Sequence, residues 1–124
     1  MGRDFAIGTD IVDIDRVANL IECYGRAFLN KIYCDEEIEW CSQKSVSPIH
    51  YAGRFAAKEA VKKALLTLGF DSRILPFKSI IISRKNDEPP RVQIPSEISP
   101  IYQIAISISH TDKLATATAF AELI

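Results

Sequence analysis

The chain predicts an α+β fold, with helices gathered in its first half and a mainly antiparallel sheet formed by its second. Three observations carry that expectation. Residues 53–68 place Phe55, Ala57, Ala60, Val61, Ala64, Leu65 and Leu68 at helical spacing in a run rich in Ala and Leu. Residues 104–110 read Ile-Ala-Ile-Ser-Ile-Ser-His and alternate with period two, as a half-buried strand does. Between these segments, Lys85-Asn86-Asp87-Glu88-Pro89-Pro90 has turn chemistry and separates two short β-rich runs. A chain of 124 residues suits one domain spanning 1–124, large enough to bury a real core and too short for two.

The elements follow in order. Residues 6–12, Ala-Ile-Gly-Thr-Asp-Ile-Val, form a strand with Ile7, Thr9 and Ile11 on one side and Gly8, Asp10 and Val12 on the other. Asp13 or Asp15 is a natural N-cap for a helix whose apolar face is Val17, Leu20, Ile21 and Tyr24 and which ends near Gly25. Phe28, Leu29, Ile32 and Tyr33 mark a short helix. Asp35-Glu36-Glu37 opens another, its acids favoured by the helix dipole. Glu36, Glu37 and Glu39 read as a solvated face and Trp40 as a packing residue. Residues 43–48 are expected to be loop, followed by the long helix from Tyr51 to Leu68, with Gly69 as its C-cap. Residues 77–84 and 91–94 are the two arms of a hairpin. Residues 104–110 and 114–121 are the last strands, joined by a Thr111-Asp112-Lys113 turn.

Charge excludes some functions and localises others. The net charge of −1 gives no global attraction to nucleic acid or anionic membrane. No apolar run approaches the roughly 20 residues that span a bilayer. The first residues lack a signal-peptide core, and Gly2 is followed by Ala6 where myristoylation needs Ser or Thr, so a cytoplasmic address is expected. Basic character is local: Arg54, Lys58, Lys62 and Lys63 surround the single carboxylate Glu59. On charge pattern alone, Glu59 and Lys63 are an ordinary helical ion pair, worth about 0.3–0.5 kcal/mol. Yet a lone carboxylate among cations is also what a site needs to hold a divalent metal and a polyanionic phosphate together.

Asp10 strengthens the second reading. Asp is disfavoured in strands, and a carboxylate on the core side of one needs a cation or a metal beside it. His110, at a strand end beside a turn, is the third candidate, with Ser109 and Thr111 as neighbouring hydroxyls. Cys23, Cys34 and Cys41 form no C-x-x-C pair and, with His50 and His110, match no zinc spacing. Cys23 and Cys41 read as buried small hydrophobes. No P-loop, G-x-G-x-x-G or G-x-S-x-G occurs.

Three segments together resemble the holo-acyl-carrier-protein synthase group of 4′-phosphopantetheinyl transferases, in its short, single-domain form. They are Ile7-Gly8-Thr9-Asp10-Ile11-Val12-Asp13-Ile14-Asp15-Arg16-Val17, Gly53-Arg54-Phe55-Ala56-Ala57-Lys58-Glu59-Ala60, and Ser107-Ile108-Ser109-His110-Thr111. The resemblance implies transfer of phosphopantetheine from coenzyme A to a serine of an acyl carrier protein, releasing adenosine 3′,5′-bisphosphate. It implies Mg²⁺ held by Asp10 and Glu59, which suits an ion that prefers oxygen ligands and keeps several waters. It places Glu59 and Lys63 in catalysis, with Glu59 as the general base, directly or through a water on the metal. Arg54, Phe55, Lys58, Lys63, Ser109, His110 and Thr111 would contact the coenzyme, and Arg16 and Arg26, with Lys31 beside them, the acidic carrier protein. The family's short members are homotrimers with sites at subunit boundaries, where Asp10 and Glu59 are expected to approach each other. Two departures stand out. Leu66-Thr67-Leu68 replaces a Gly-Thr-Gly-like turn, so the helix is expected to run one turn further. The hairpin turn also lacks the usual glycine before its proline. A transferase serving a polyketide or other secondary carrier protein, and a non-catalytic coenzyme- or carrier-binding homologue, remain alternatives at this point.

Overall fold

The computed structural model describes residues 4–85 and 87–124, so the expectations for Gly2 and for Asn86 in the hairpin turn fall outside the described residues. Strand β1 (Phe5–Asp13) leads into α1 (Ile14–Tyr24), α2 (Arg26–Ile32), α3 (Asp35–Ser42) and the long α4 (Ser47–Thr67). Two 3₁₀ turns (Ser72–Ile74 and Phe77–Ser79) precede a hairpin of β2 (Ile81–Ser83) and β3 (Arg91–Gln93), and β4 (Tyr102–His110) and β5 (Leu114–Leu123) complete the chain. The fold is α+β. β1, β5 and β4 make one antiparallel sheet in that order, and β2 and β3 a second.

α4 packs across one face of the larger sheet, and small residues let it come close. The sheet presents Ala6, Gly8, Ala115, Ala117, Ala119 and Ala121, and the helix answers with Ala56, Ala57, Ala60 and Ala64. At Gly8 the fit leaves no room for a side chain: a Cβ there would lie 1.9 Å from the Ala60 carbonyl oxygen. A Cβ on Gly53 would lie 3.0 Å from Ile108 Cγ2, so the same tight packing continues towards β4. The opposite face of the sheet carries Phe5, Ile7 and Ile11, which are 56%, 62% and 63% exposed, and Phe120, whose ring stacks on Phe5 at 5.7 Å.

Several local expectations change in three dimensions. α4 begins at Ser47, with Pro48 in its first turn, rather than at Tyr51. Proline lacks the N–H that a first turn would leave unpaired in any case, so it starts the helix instead of closing a loop. The run to Thr67 matches the extra turn expected from the missing glycines, and Gly69 follows with φ 100°. Asp13, rather than Asp15, caps α1 by accepting from Arg16 N at 3.3 Å. Tyr24 and Cys23 are exposed at the end of that helix, while Cys41 is buried.

Glu37 is the largest departure. It does not face solvent: its carboxylate lies inside the protein, 2.7 Å from Lys58 Nζ, with both side chains essentially inaccessible. The ammonium donates its other two hydrogens to the carbonyls of Phe77 (3.0 Å) and Ile80 (2.7 Å). Glu37 accepts in turn from Cys34 N and Ile82 N, each at 3.0 Å. Burial pushes the Lys58 ammonium below the ordinary lysine range, while the Glu37 carboxylate pulls the other way. Every donor of the ammonium is satisfied, which is the condition for tolerating a charge at such depth. The pair thereby joins α3, α4 and the β2 hairpin.

Two stability outcomes are expected. Gly8→Ala drives a methyl against backbone that has nowhere to move, so it costs about 3 kcal/mol or more and lowers Tm by about 10 °C or more in thermal denaturation. Lys58→Met strands the Glu37 carboxylate in the interior and costs about 3–5 kcal/mol by urea unfolding. A loss below about 1 kcal/mol in either case would contradict the packing described.

Candidate functional site

Asp10 sits on the α4 side of β1, between Gly8 and Val12, with its side chain 19% exposed. The cation it needs is Lys63: its Nζ donates to Asp10 Oδ1 at 3.1 Å and to the Thr9 carbonyl at 3.0 Å. Lys63 is therefore turned towards β1 and away from Glu59, its neighbour one turn back on α4. Glu59 makes no hydrogen bond or ion pair among the described residues.

Glu59 stands where two cavities meet. One, of about 240 Å³, is lined by Asp10, Arg16, Phe55 and Glu59 together with residues 11–13, Val17 and Leu20. The other, of about 300 Å³, is lined by Glu59, Lys62, Lys63, Leu66, Ser72 and Arg73. The first therefore sets three carboxylates (Asp10, Asp13 and Glu59) and Arg16 around one recess, with Asp13 engaged as the α1 cap, and the second lines Lys62, Lys63 and Arg73 beside Glu59. Phe55 holds its place edge-on to the Phe77 ring at 5.5 Å. Lys62 donates to the Leu75 carbonyl at 2.8 Å and lies 4.2 Å from the centroid of the Phe77 ring.

A third recess, of about 90 Å³, has a different character. Trp40, Ile49, His50, Gly53, Arg54, Arg84, Pro90, Ile108 and His110 line it, with no carboxylate among them. Arg54 is 5% exposed, and its Nε has no hydrogen-bond partner among the described residues. Its guanidinium carbon lies 4.0 Å from the Trp40 ring centroid, while Lys44 Nζ lies 4.2 Å from that same centroid. His50 meets Trp40 edge-on at 5.3 Å. A buried guanidinium with an unused donor, in a recess without acids, calls for an anion. The recess is small beside the ~300–1,000 Å³ of drug-sized pockets, so it takes a single group rather than a whole nucleotide.

The expected site residues divide accordingly. Asp10, Glu59, Lys63, Phe55 and Arg16 come together, and Arg54 and His110 meet in the anion recess. Lys58 does not belong with them. Its ammonium is sealed inside the fold by Glu37, so the expected phosphate contact is not available to it. Ser109 lies on the other face of β4 from Ile108, paired with Thr116, and so points away from the recess. Thr111 uses its hydroxyl to accept from Lys113 N (3.1 Å) and Leu114 N (3.0 Å), fixing the β4–β5 turn. His110 Nδ1 lies 3.1 Å from the Thr111 carbonyl. A carbonyl can only accept, so Nδ1 carries the proton and Nε2 faces outward. Arg26 is exposed and pairs with Asn30 and Asp35.

Sequence reasoning passed over Trp40, His50, Arg84 and Arg73. The signal for His50 was present: with α4 starting at Ser47, His50 stands one turn before Arg54 and on the same side. Arg84 comes from the distant hairpin and had no local signal. A cleft of about 450 Å³ between β3 and β4 is lined by apolar and neutral polar side chains and carries none of this chemistry. Among the described residues, no three His, Cys, Asp or Glu side chains gather, and no helix is long and apolar enough to cross a membrane.

Comparison with known proteins bears directly on this arrangement. Residues 6–119 match the model of the 4′-phosphopantetheinyl transferase superfamily. A holo-[acyl-carrier-protein] synthase of Chlamydia muridarum is 43% identical over 123 residues, covering 96% of this chain and 95% of that one. Among solved structures, the Helicobacter pylori holo-[acyl-carrier-protein] synthase in complex with coenzyme A superposes with a TM-score of 0.78 at 32% identity, over 91% of this chain and 96% of the other. The Neisseria meningitidis enzyme gives 0.80 at 30% identity, over 94% and 97%. Shared sequence along almost the whole chain and a shared fold lead to one conclusion: this chain belongs to the holo-acyl-carrier-protein synthase family of the 4′-phosphopantetheinyl transferase superfamily.

Proposed function

We propose that the chain transfers the 4′-phosphopantetheine group of coenzyme A to a serine hydroxyl of an apo-acyl carrier protein in the cytoplasm. The observation that carries this reading is the position of Glu59 on the ridge between two cavities. On one side Arg16 offers a cation to an acidic carrier protein. On the other, Lys62, Lys63 and Arg73 offer cations to a pyrophosphate. Both substrates therefore converge on one carboxylate.

In the reaction, the serine oxygen attacks the phosphorus that bears the pantetheine arm. The bond from that phosphorus to the bridging oxygen breaks, and adenosine 3′,5′-bisphosphate leaves. Glu59 has neither an ion pair nor a side-chain hydrogen bond among the described residues, whereas Asp10 is paired with Lys63 and Asp13 caps α1, and it is Glu59 that accepts the serine proton. Lys63, held by Thr9 and Asp10, supplies positive charge beside the reacting phosphate. Arg54 and His110 hold a second phosphate of the coenzyme in the anion recess. Asp10 and Glu59 form an all-oxygen pair in a recess with room for water, a donor set that fits Mg²⁺. When bound, the metal neutralises charge on the pyrophosphate.

Self-association completes the picture. Arg54 and Glu59 are five residues apart on α4, roughly 140° around the helix, so the anion recess and the carboxylate recess open on different sides. A homotrimer that buries the Phe5, Ile7, Ile11 and Phe120 face, with sites at subunit boundaries, would let both recesses serve one coenzyme molecule. An apolar sheet face of this kind is unusual on a monomer.

Incubation with apo-acyl carrier protein, coenzyme A and Mg²⁺ is expected to add the mass of one phosphopantetheine group per carrier, and EDTA to prevent it. Glu59→Gln is expected to slow that transfer by about 10²-fold or more while the variant stays folded. Turnover equal to wild type in Glu59→Gln would remove Glu59 as the proton acceptor, and in Asp10→Ala would remove Asp10 from the metal set. In sedimentation velocity, Ile11→Lys is expected to shift the protein to a smaller species. An unchanged sedimentation coefficient would exclude that face as the subunit contact.

A further inference from the structure

The anion recess holds a residue that the proposed reaction leaves unused. His50 and Arg54 stand one turn apart on α4, Arg84 enters from the end of β2, and His110 from the end of β4. We propose that His50 is a proton-linked ligand of the phosphate held in this recess: its imidazole takes up a proton as a doubly charged phosphate enters and returns it as the phosphate leaves. The proposal rests on the reading of the recess as a coenzyme phosphate site and adds to it a regulated, charge-selective element.

The charged and titratable groups that face His50 from the elements around it share one sign. Lys44 reaches in from beyond α3 and lies over Trp40, Arg54 stands on the same helix, Arg84 comes from the hairpin and His110 from β4. Trp40 is the neutral wall, edge-on to the imidazole. Without an anion, burial first, then Arg54, Lys44, His110 and Arg84, hold the His50 imidazole below its ordinary value near 6.5, so it is neutral at pH 7. A phosphate monoester has a second pKa of about 6 and enters as a dianion. Its two charges offset the surrounding cations and favour the imidazolium, which then donates to it.

The sign of the linkage follows. Below the empty-state pKa, His50 is charged with or without phosphate, and above the bound-state pKa it is neutral in both. Between the two, binding takes up a proton, so affinity falls as pH rises through that window. A phosphodiester, with a single charge, offsets less of the field and recruits the proton less well. The recess thereby distinguishes a terminal phosphate from an internal one.

The test is titration calorimetry of the folded protein with adenosine 3′,5′-bisphosphate in buffers of different ionisation enthalpy, from pH 6 to pH 8. Wild type is compared with His50→Gln and with His50→Phe, which keeps an aromatic ring against Trp40. The ligand's own titration is common to all three and cancels in the comparison. Wild type is expected to take up a larger fraction of a proton than either variant. Its affinity relative to His50→Gln should fall severalfold, on the order of tenfold, as the pH rises across the range. Equal proton counts in wild type and both variants, with binding retained, would overturn the role of His50 alone. Absence of bisphosphate binding by wild type would overturn the recess as a phosphate site as well. Proton-linked binding without transfer to carrier protein would instead sustain His50 and count against the catalytic reading.

Discussion

The close approach of α4 to the β1–β5–β4 sheet is the constraint on which the rest of the molecule depends. Both surfaces are built from alanine and glycine, and at Gly8 the helix backbone occupies the place a side chain would take. That proximity is what lets a lysine on the helix reach an aspartate and a carbonyl on the strand at about hydrogen-bond length. Larger residues in the seam would move Glu59 and Lys63 away from Asp10 as a unit, because α4 is a rigid rod of 21 residues. Alanine is thus chosen here for helix propensity and also for what it leaves out.

The cations of α4 show how one helix can serve structure and chemistry together. Lys58 faces inward and is neutralised by Glu37, so its charge holds α3 and the hairpin against the helix. Arg54, one turn earlier, is almost as deep, yet its Nε finds no partner among the described residues in a recess lined by no acid. Lys63, one turn later and to the side, is half-exposed and shared between Thr9 and Asp10. Identical charges therefore have three functions, set by the partner each finds. A charge whose partners are all protein groups stabilises the fold, and one with unmet capacity is available to a ligand.

Most of the fold was legible because its signals are local. The period-two run of Ile104, Ile106 and Ile108, the Asp13 cap and the Ala-rich helix each follow from residues within one turn or one strand of each other. Asp10 was legible for the opposite reason, as a charge that local rules could not place. The departures are those where a distant element decides. Glu37 looked like part of an exposed acidic face because its partner lies 21 residues further on, and Lys58 looked like a phosphate ligand for the same reason. The start of α4 was misplaced because Ser47-Pro48 reads equally as a loop or as a first turn, and only the packing of Tyr51 and Ala52 into the core selects the turn.

By itself, the sequence determined the class of the fold, its order of elements, the family to which the chain belongs, and the residue types from which a site could be made. These depend on propensity, periodicity and motif, which are properties of neighbours along the chain. Only the tertiary structure decided which charges are spent inside and which are left for a ligand. Burial and pairing are relations between residues that the chain separates, such as Glu37 with Lys58, Lys63 with Asp10, and His50 with Arg84 and His110. The energy of a charge is set by those relations rather than by its place in the chain.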